Sequence, residues 1–285
     1  MFNTSFYPVH PALKLYFNFH FAAQLTECET SKTLFTATPE AILLFYFGSK
    51  QSSIFYDFPN TPNKSYTFQK DQLWLGGMHN EPIRGQFGAS LRFACAVCTP
   101  LGVQCLLRDN STSILNKAHS FETLNLHKKF DGLAEKLYYA TTNHEAIQLI
   151  ESYLIKYFSA IDTPFSIKDI KPVSDYIVRQ KGVVKIQQLE EKFHVSRRWL
   201  EMQFASQIGF SPKEFARIIR FKAVLAQAIM TPSVSWSQLV EEFGYYDQSH
   251  LIRDFYDFTS ESPKQYFQNS LSKVNNIFLK ELEEI

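Results

Sequence analysis

The chain has 285 residues, 45% of them hydrophobic and 20% charged, with a net charge of +1. That is the composition of a globular protein long enough for two cores, not of a disordered, collagen-like or disulfide-dense one. No apolar run approaches the roughly 18 residues that a membrane span requires.

The opening Met1-Phe2-Asn3-Thr4-Ser5 lacks the basic stretch and apolar core of a secretory leader. A cytoplasmic protein with no membrane partner and reduced cysteines is therefore expected. The charge is unevenly spread. Between Arg179 and Lys222 there are ten basic residues and four acids, a local +6, whereas from Ala223 onward four basic residues meet nine acids, a local −5. A near-neutral average conceals a basic segment beside an acidic one.

Residues 1–126 read as a β-rich effector or dimerisation domain. Leu13–Phe21, Ala41–Phe47 and Leu91–Val97 are rich in aromatic and branched side chains, and turn-prone clusters at Gly48-Ser49-Lys50, Pro59–Asn63 and Gly76-Gly77 separate them. Many short strands without intervening helices suggest a barrel or sandwich. The 27 Phe and 14 Tyr would line a ligand cavity or, the better reading, fill a solid core.

Cys95-Ala96-Val97-Cys98, with Cys28 and Cys105, raises tetrahedral zinc. In a strand, however, positions i and i+3 point to opposite faces. Small buried hydrophobes are the expected role, so no metal and no cofactor are expected. The eight His residues show no paired ligand spacing, and neither a phosphate-binding glycine loop nor a catalytic triad is apparent, so no enzyme is expected.

Residues 127–169 read as a helical connector and linker. His127–Tyr139 and Asn143–Phe158 carry apolar residues at three- and four-residue intervals, including Ile147, Ile150, Leu154 and Phe158. Ile161-Asp162-Thr163-Pro164-Phe165 follows as a linker.

Residues 170–285 read as all-α, with two copies of one helix-turn-helix unit and a tail. In the first, Ile186–Phe193 is a supporting helix and His194-Val195 a turn. Ser196 caps a second helix that runs to about Gln207, burying Leu200 and Phe204 and leaving Arg197, Arg198, Glu201, Met202 and Ala205 outward. In the second, Val234–Phe243 is the supporting helix and Gly244 supplies a positive φ. Asp247 then caps a helix with Leu251 and Phe255 inward and Gln248, Ser249, Ile252 and Arg253 outward. Between them Pro212 starts a helix of about 18 residues, ~27 Å long. A spacer of that length sets two reading helices about one DNA turn, roughly 34 Å, apart.

The chain resembles the AraC/XylS family of transcription regulators over about Val173–Phe267. The resemblance rests on Val195–Glu201, Gly209–Arg217, Arg220-Phe221, Phe243-Gly244-Tyr245-Tyr246-Asp247-Gln248-Ser249-His250-Leu251-Ile252-Arg253-Asp254-Phe255 and Ser262-Pro263-Lys264-Gln265-Tyr266. It implies two recognition helices in successive major-groove segments of double-stranded DNA. The implied base-facing residues are Arg198, Glu201 and Met202, then Gln248, Ser249, Ile252 and Arg253. Candidates for phosphate contact are Arg197, Lys213, Arg217, Arg220 and Lys222, with a solvated helix face or intramolecular pairing as the competing roles for Arg217, Arg220 and Lys222. Met202 stands where many members have Arg, and Tyr256-Asp257 where a basic residue is usual. Glu190 replaces a small residue and is expected to turn outward.

Over the first half the resemblance is weaker, to a diverged, cupin-like barrel with dimer-pairing helices behind it. It adds a small-molecule effector, a homodimer and RNA polymerase as candidate partners. The fold class expected is α+β. The competing functions are a DNA-targeted, metal-dependent repair enzyme built on the cysteines, and an interaction module that never touches DNA.

Overall fold

The structure is a computed structural model that describes residues 2–25, 31–47, 54–57, 65–68, 72–87, 91–107, 114–161 and 170–269. Its first half contains β1 (Phe2–Tyr7), β2 (Phe17–Leu25), β3 (Ser31–Phe35), β4 (Ala41–Tyr46), β5 (Ile54–Asp57), β6 (Ser65–Phe68), β7 (Leu73–Gly76), β8 (Ile83–Phe87), β9 (Leu91–Cys98) and β10 (Ala118–Ser120). They form two antiparallel sheets, ordered β1-β2-β9-β4-β7-β10 and β3-β8-β5-β6. The chain is thus α+β, with a β-rich first half and a helical second half.

The larger sheet is buried on both faces, which explains why β4 and β9 read as nearly continuous apolar runs. One face carries Ala22, Leu43, Phe45, Ala94, Ala96 and Cys98, under the helices α1 (Pro100–Leu107), α2 (Leu133–Tyr139) and α3 (Asn143–Ser159). The other carries Phe21, Leu44, Tyr46, Phe93, Cys95 and Val97, with Phe35 of β3 packed against it. Cys95 and Cys98 therefore do lie on opposite faces. Phe158 of α3 stacks on Tyr16 at 4.2 Å and meets Phe17 edge-on at 5.3 Å.

Three expectations for this half need correction. The stretch from Leu13 is not all strand, because Pro11–Leu13 forms a 3₁₀ turn capped by the His10 side chain, and β2 begins at Phe17. A helix, α1, interrupts the strands after Pro100, where proline suits a helix start. His127–Tyr139 is a 3₁₀ turn at His127–Lys129, a break, and then α2, separated by Gly132 at φ 73°. The clusters at Gly48-Ser49-Lys50 and Pro59–Asn63, Cys28, and most of the linker after Ile161 lie outside the described residues.

The second half contains α4 (Lys171–Arg179), α5 (Ile186–Phe193), α6 (Arg197–Gln207), α7 (Pro212–Met230), α8 (Trp236–Glu242), α9 (Gln248–Thr259) and α10 (Pro263–Asn269). Local chemistry sets their starts. Ser196, Ser211, Ser235 and Asp247 each accept the backbone N–H three residues on, satisfying a donor that the helix leaves free. The long α7 is buried along most of its length and forms the axis on which both units pack. Phe204 of α6 meets Phe215 of α7 edge-on at 5.5 Å and Phe255 of α9 meets Phe221 of α7 edge-on at 5.1 Å, with Leu200 and Leu251 buried in the same core. Gly244 takes φ +62° as expected. At Gly182 (φ +72°) a Cβ would lie 2.3 Å from the Ala216 carbonyl oxygen and 2.4 Å from Arg220 N, so the turn after α4 sits directly on α7.

The two halves meet along α6, α7 and the end of α9. α1 packs on α6. The Asn80 side chain donates to Glu214 Oε1 at 2.6 Å, Ala37 N–H donates to the Phe258 carbonyl at 3.2 Å, and Lys222 Nζ pairs with Glu40 Oε1 at 2.9 Å.

Candidate nucleic-acid interface

The outward surfaces of α6 and α9 carry every base-facing candidate. Their N-caps, Ser196 and Asp247, bring the two helices into equivalent register, with Leu200 matched by Leu251 and Phe204 by Phe255 on the buried side. On the outer side of α6, Arg198 and Met202 are exposed and Glu201 is half-buried; on α9, Gln248, Ser249, Ile252 and Arg253 are all exposed. Gln248 Nε2 lies 3.4 Å from Ser237 Oγ of the supporting helix, which aims its amide near the helix start. Helices that bury one stripe and expose such side chains from their first two turns have the form that enters a major groove.

The phosphate candidates divide. Arg197, at the start of α6, and Lys213, at the start of α7, are exposed. Arg217, Arg220 and Lys222 are engaged inside the protein. Arg217 Nη2 lies 2.6 Å from Asp254 Oδ1 and 2.8 Å from Asp257 Oδ2, and Arg220 Nη2 lies 3.1 Å from Asp254 Oδ2. The Arg220 guanidinium also covers the Tyr245 ring at 4.0 Å. Lys222 is 2% exposed on Glu40. In this arrangement those three cations face carboxylates of their own chain, so the basic segment offers DNA fewer free charges than its count of +6 implies.

Burial works against the Arg217 guanidinium, but its hydrogen bonds to Asp254 and Asp257 outweigh that and hold its pKa above the ordinary value. Burial, with the adjacent Asp254 carboxylate, pushes the Tyr245 phenol up, so this ring stays neutral as a packing surface. His250 is half-buried and lies edge-on to Tyr245 at 5.1 Å. Trp236 packs edge-on against Phe255 at 6.0 Å, while Trp199 packs against the same core, half-buried. Glu190 is half-buried rather than turned fully outward.

Sequence reasoning missed the acid partners. Asp254 falls between the inward Leu251 and Phe255, and a carboxylate at an inward helical position is a signal for an internal cation. Glu40 and Asn80 carried no such signal, because their partners lie 182 and 134 residues away.

Among the described residues, two cavities are seen at the junction of the halves. One, of about 100 Å³, is lined by Glu40, Met78, Cys98, Val103, Ile208 and Phe215 among others. The other, of about 350 Å³, is a polar cleft between Asn80, Asn116 and Glu81 on one side and Glu214, Arg217 and Asp257 on the other. Among the described residues no group of three or more His, Cys, Asp or Glu is arranged to hold a metal ion, and no helix is long and apolar enough to cross a membrane. Cys95, Cys98 and Cys105 are buried, and burial raises all three thiols.

Residues 189–269 match the family model of the helix-turn-helix domain. No curated protein matches the chain. Among solved structures, ToxT from Vibrio cholerae is similar at 11% identity and a TM-score of 0.49, over 95% of this chain and 99% of that one. ToxT solved with an unsaturated fatty acid bound is similar at 13% identity and a TM-score of 0.48, over 95% and 96%. The AraC-like transcriptional activator CuxR is similar at 11% identity and a TM-score of 0.31, over 73% and 77%.

Proposed function

We propose that this chain, a transcription regulator whose C-terminal region is an AraC/XylS-type helix-turn-helix domain, reads a specific DNA sequence by placing α6 and α9 in successive major-groove segments. The observation that supports this most is the repeat itself. Two helices in matched register, both packed on α7, bury Leu200 and Phe204, or Leu251 and Phe255, and both present polar side chains on the outer face.

In this reading Arg198, Glu201 and Met202 face one stretch of bases, and Gln248, Ser249, Ile252 and Arg253 the other. Arg198 suits guanine and Gln248 adenine, by paired hydrogen bonds. Arg197 and Lys213 hold phosphate and so set register rather than sequence. Arg217, Arg220 and Lys222 keep α7 in place. The protein would work beside DNA in the cytoplasm, and the reading contains no catalytic step.

The organisation proposed is 1–126 for sensing or dimerisation, 127–169 as connector, and 170–285 for DNA. The contacts of α1 with α6, Glu40 with Lys222 and Asn80 with Glu214 give the first region a physical hold on the reader. A small molecule or second copy that alters that hold would alter how α6 and α9 are presented, which is the form of coupling that regulation requires. The test is selection of duplexes from a random pool by the full chain. A recurring sequence supports the reading, and recovery of unrelated sequences contradicts it.

A further inference from the structure

Met202 and Ile252 are apolar side chains whose exposure packing does not explain. Met202 is 53% exposed on α6 and Ile252 is 45% exposed on α9. Isolated exposed hydrophobes are ordinary, but these two occupy related places. Counted from the N-caps Ser196 and Asp247, the fifth and sixth helical positions are Glu201 and Met202 in one unit, Ile252 and Arg253 in the other. Each reading helix thus sets one apolar side chain beside one charged side chain, in opposite order, on its outer face. Each apolar side chain also lies four residues after a hydrogen-bonding one, Arg198 before Met202 and Gln248 before Ile252, so each pair shares a ridge.

The floor of a major groove is almost entirely polar. Its one methyl group belongs to thymine, at C5, and an apolar side chain there is matched by that group and by no other base edge. Methionine is flexible and follows a methyl whose position varies, whereas β-branched isoleucine holds one.

We propose that Met202 and Ile252 each read a thymine 5-methyl group, so that the bound DNA carries a T·A pair opposite each of them, one in each half of the site. This rests on the placement of α6 and α9 in the major groove. It assigns a chemical class of target to positions where hydrogen-bond readout is absent. Burial of one methyl corresponds to about a fourfold gain in affinity.

The test uses the full chain and a duplex selected by it from a random pool. Each thymine is replaced in turn by deoxyuridine, which deletes only the methyl. Binding is measured for wild type, Met202→Ala and Ile252→Ala, with circular dichroism and thermal melting as controls of folding. For wild type, one replacement in each half of the site should weaken binding about fourfold. Met202→Ala should abolish that sensitivity in one half alone, and Ile252→Ala in the other. Should the selected duplex still be preferred over a scrambled one while no replacement costs wild type more than twofold, or should the sensitivity survive in both variants, the methyl assignment is wrong and DNA reading stands. Equal binding of selected and scrambled duplexes by wild type overturns the DNA reading itself, and this inference with it. Where an alanine variant does not fold, Met202→Gln or Ile252→Ser takes its place, and a wild type insensitive to every replacement overturns the assignment without any variant.

Discussion

Arg217 and Asp254 bind the spacer helix to the second reading helix: Arg217 donates from both Nη2, at 2.6 Å, and Nε, at 3.1 Å, to one oxygen of a carboxylate that is 1% exposed. Arg220 takes the other oxygen at 3.1 Å. Two cations for which phosphate contact and intramolecular pairing were both open therefore tie α7 to α9. Removing the carboxylate leaves Arg220, 14% exposed, beside Tyr245 without that counter-charge. Asp254→Ala is expected to cost about 2–4 kcal/mol, because breaking a buried pair strands the remaining charge. Urea unfolding measures this; a loss below about 1 kcal/mol would mean the cluster does not hold α9.

The Lys222–Glu40 pair is expected to couple the two halves. Lys222→Met or Glu40→Gln alone leaves one partner buried without the other, whereas the double variant removes both charges. The double-mutant cycle should return a coupling of about 1–3 kcal/mol. Additive effects in thermal unfolding would show that the two side chains do not act on each other.

Base and phosphate roles should separate by salt and by sequence. Arg198→Ala is expected to lower affinity for the selected duplex by ~1–3 kcal/mol and to relax preference at one base pair. Lys213→Gln should weaken binding to every duplex and reduce the slope of log K against log salt by about 0.9. Lys222→Gln should leave that slope unchanged, since its ammonium faces Glu40. Titration of binding against salt distinguishes them, and an equal loss of slope for Lys213→Gln and Lys222→Gln would contradict the division.

The helical half was legible because its punctuation is local. Ser196, Asp247, Pro212 and Gly244 act on groups within four residues of themselves, and the structure uses each as the sequence implied. What was hidden depends on distant partners. The pairs from Arg217 and Arg220 to Asp254 span 37 and 34 residues, and nothing in the spacing reveals which acid a cation meets. α1 was hidden differently: Pro100-Leu101-Gly102-Val103 continues an apolar run, and apolarity alone does not tell a buried strand from a buried helix. The outward stripes of α6 and α9 were legible as stripes, while the packing of α1 on α6 and the reach of Glu40 to Lys222 of α7 were not.

An acid-sensitive contribution should trace to Glu151. Its carboxylate accepts the His10 N–H at 2.7 Å and lies 3.3 Å from Nε2 of the buried His20. Burial would raise its pKa, but the interactions with His20 and His10 outweigh that and hold it below the usual carboxylate value. A depressed folded-state pKa adds stability that is complete above the unfolded value, about 4.3, and is lost as pH falls through the folded one. Glu151→Gln should therefore be less stable than wild type at pH 7 and approach it near pH 3. A gap that persists unchanged at low pH would assign the effect to packing instead.

The most direct measurement is the affinity of the full chain, near physiological salt, for the duplex it selects against a scrambled duplex of the same composition. The selected sequence should bind about 10³-fold tighter or more, and Arg198→Ala and Arg253→Ala should each reduce that ratio. Equal affinity for the two duplexes would contradict sequence-specific reading.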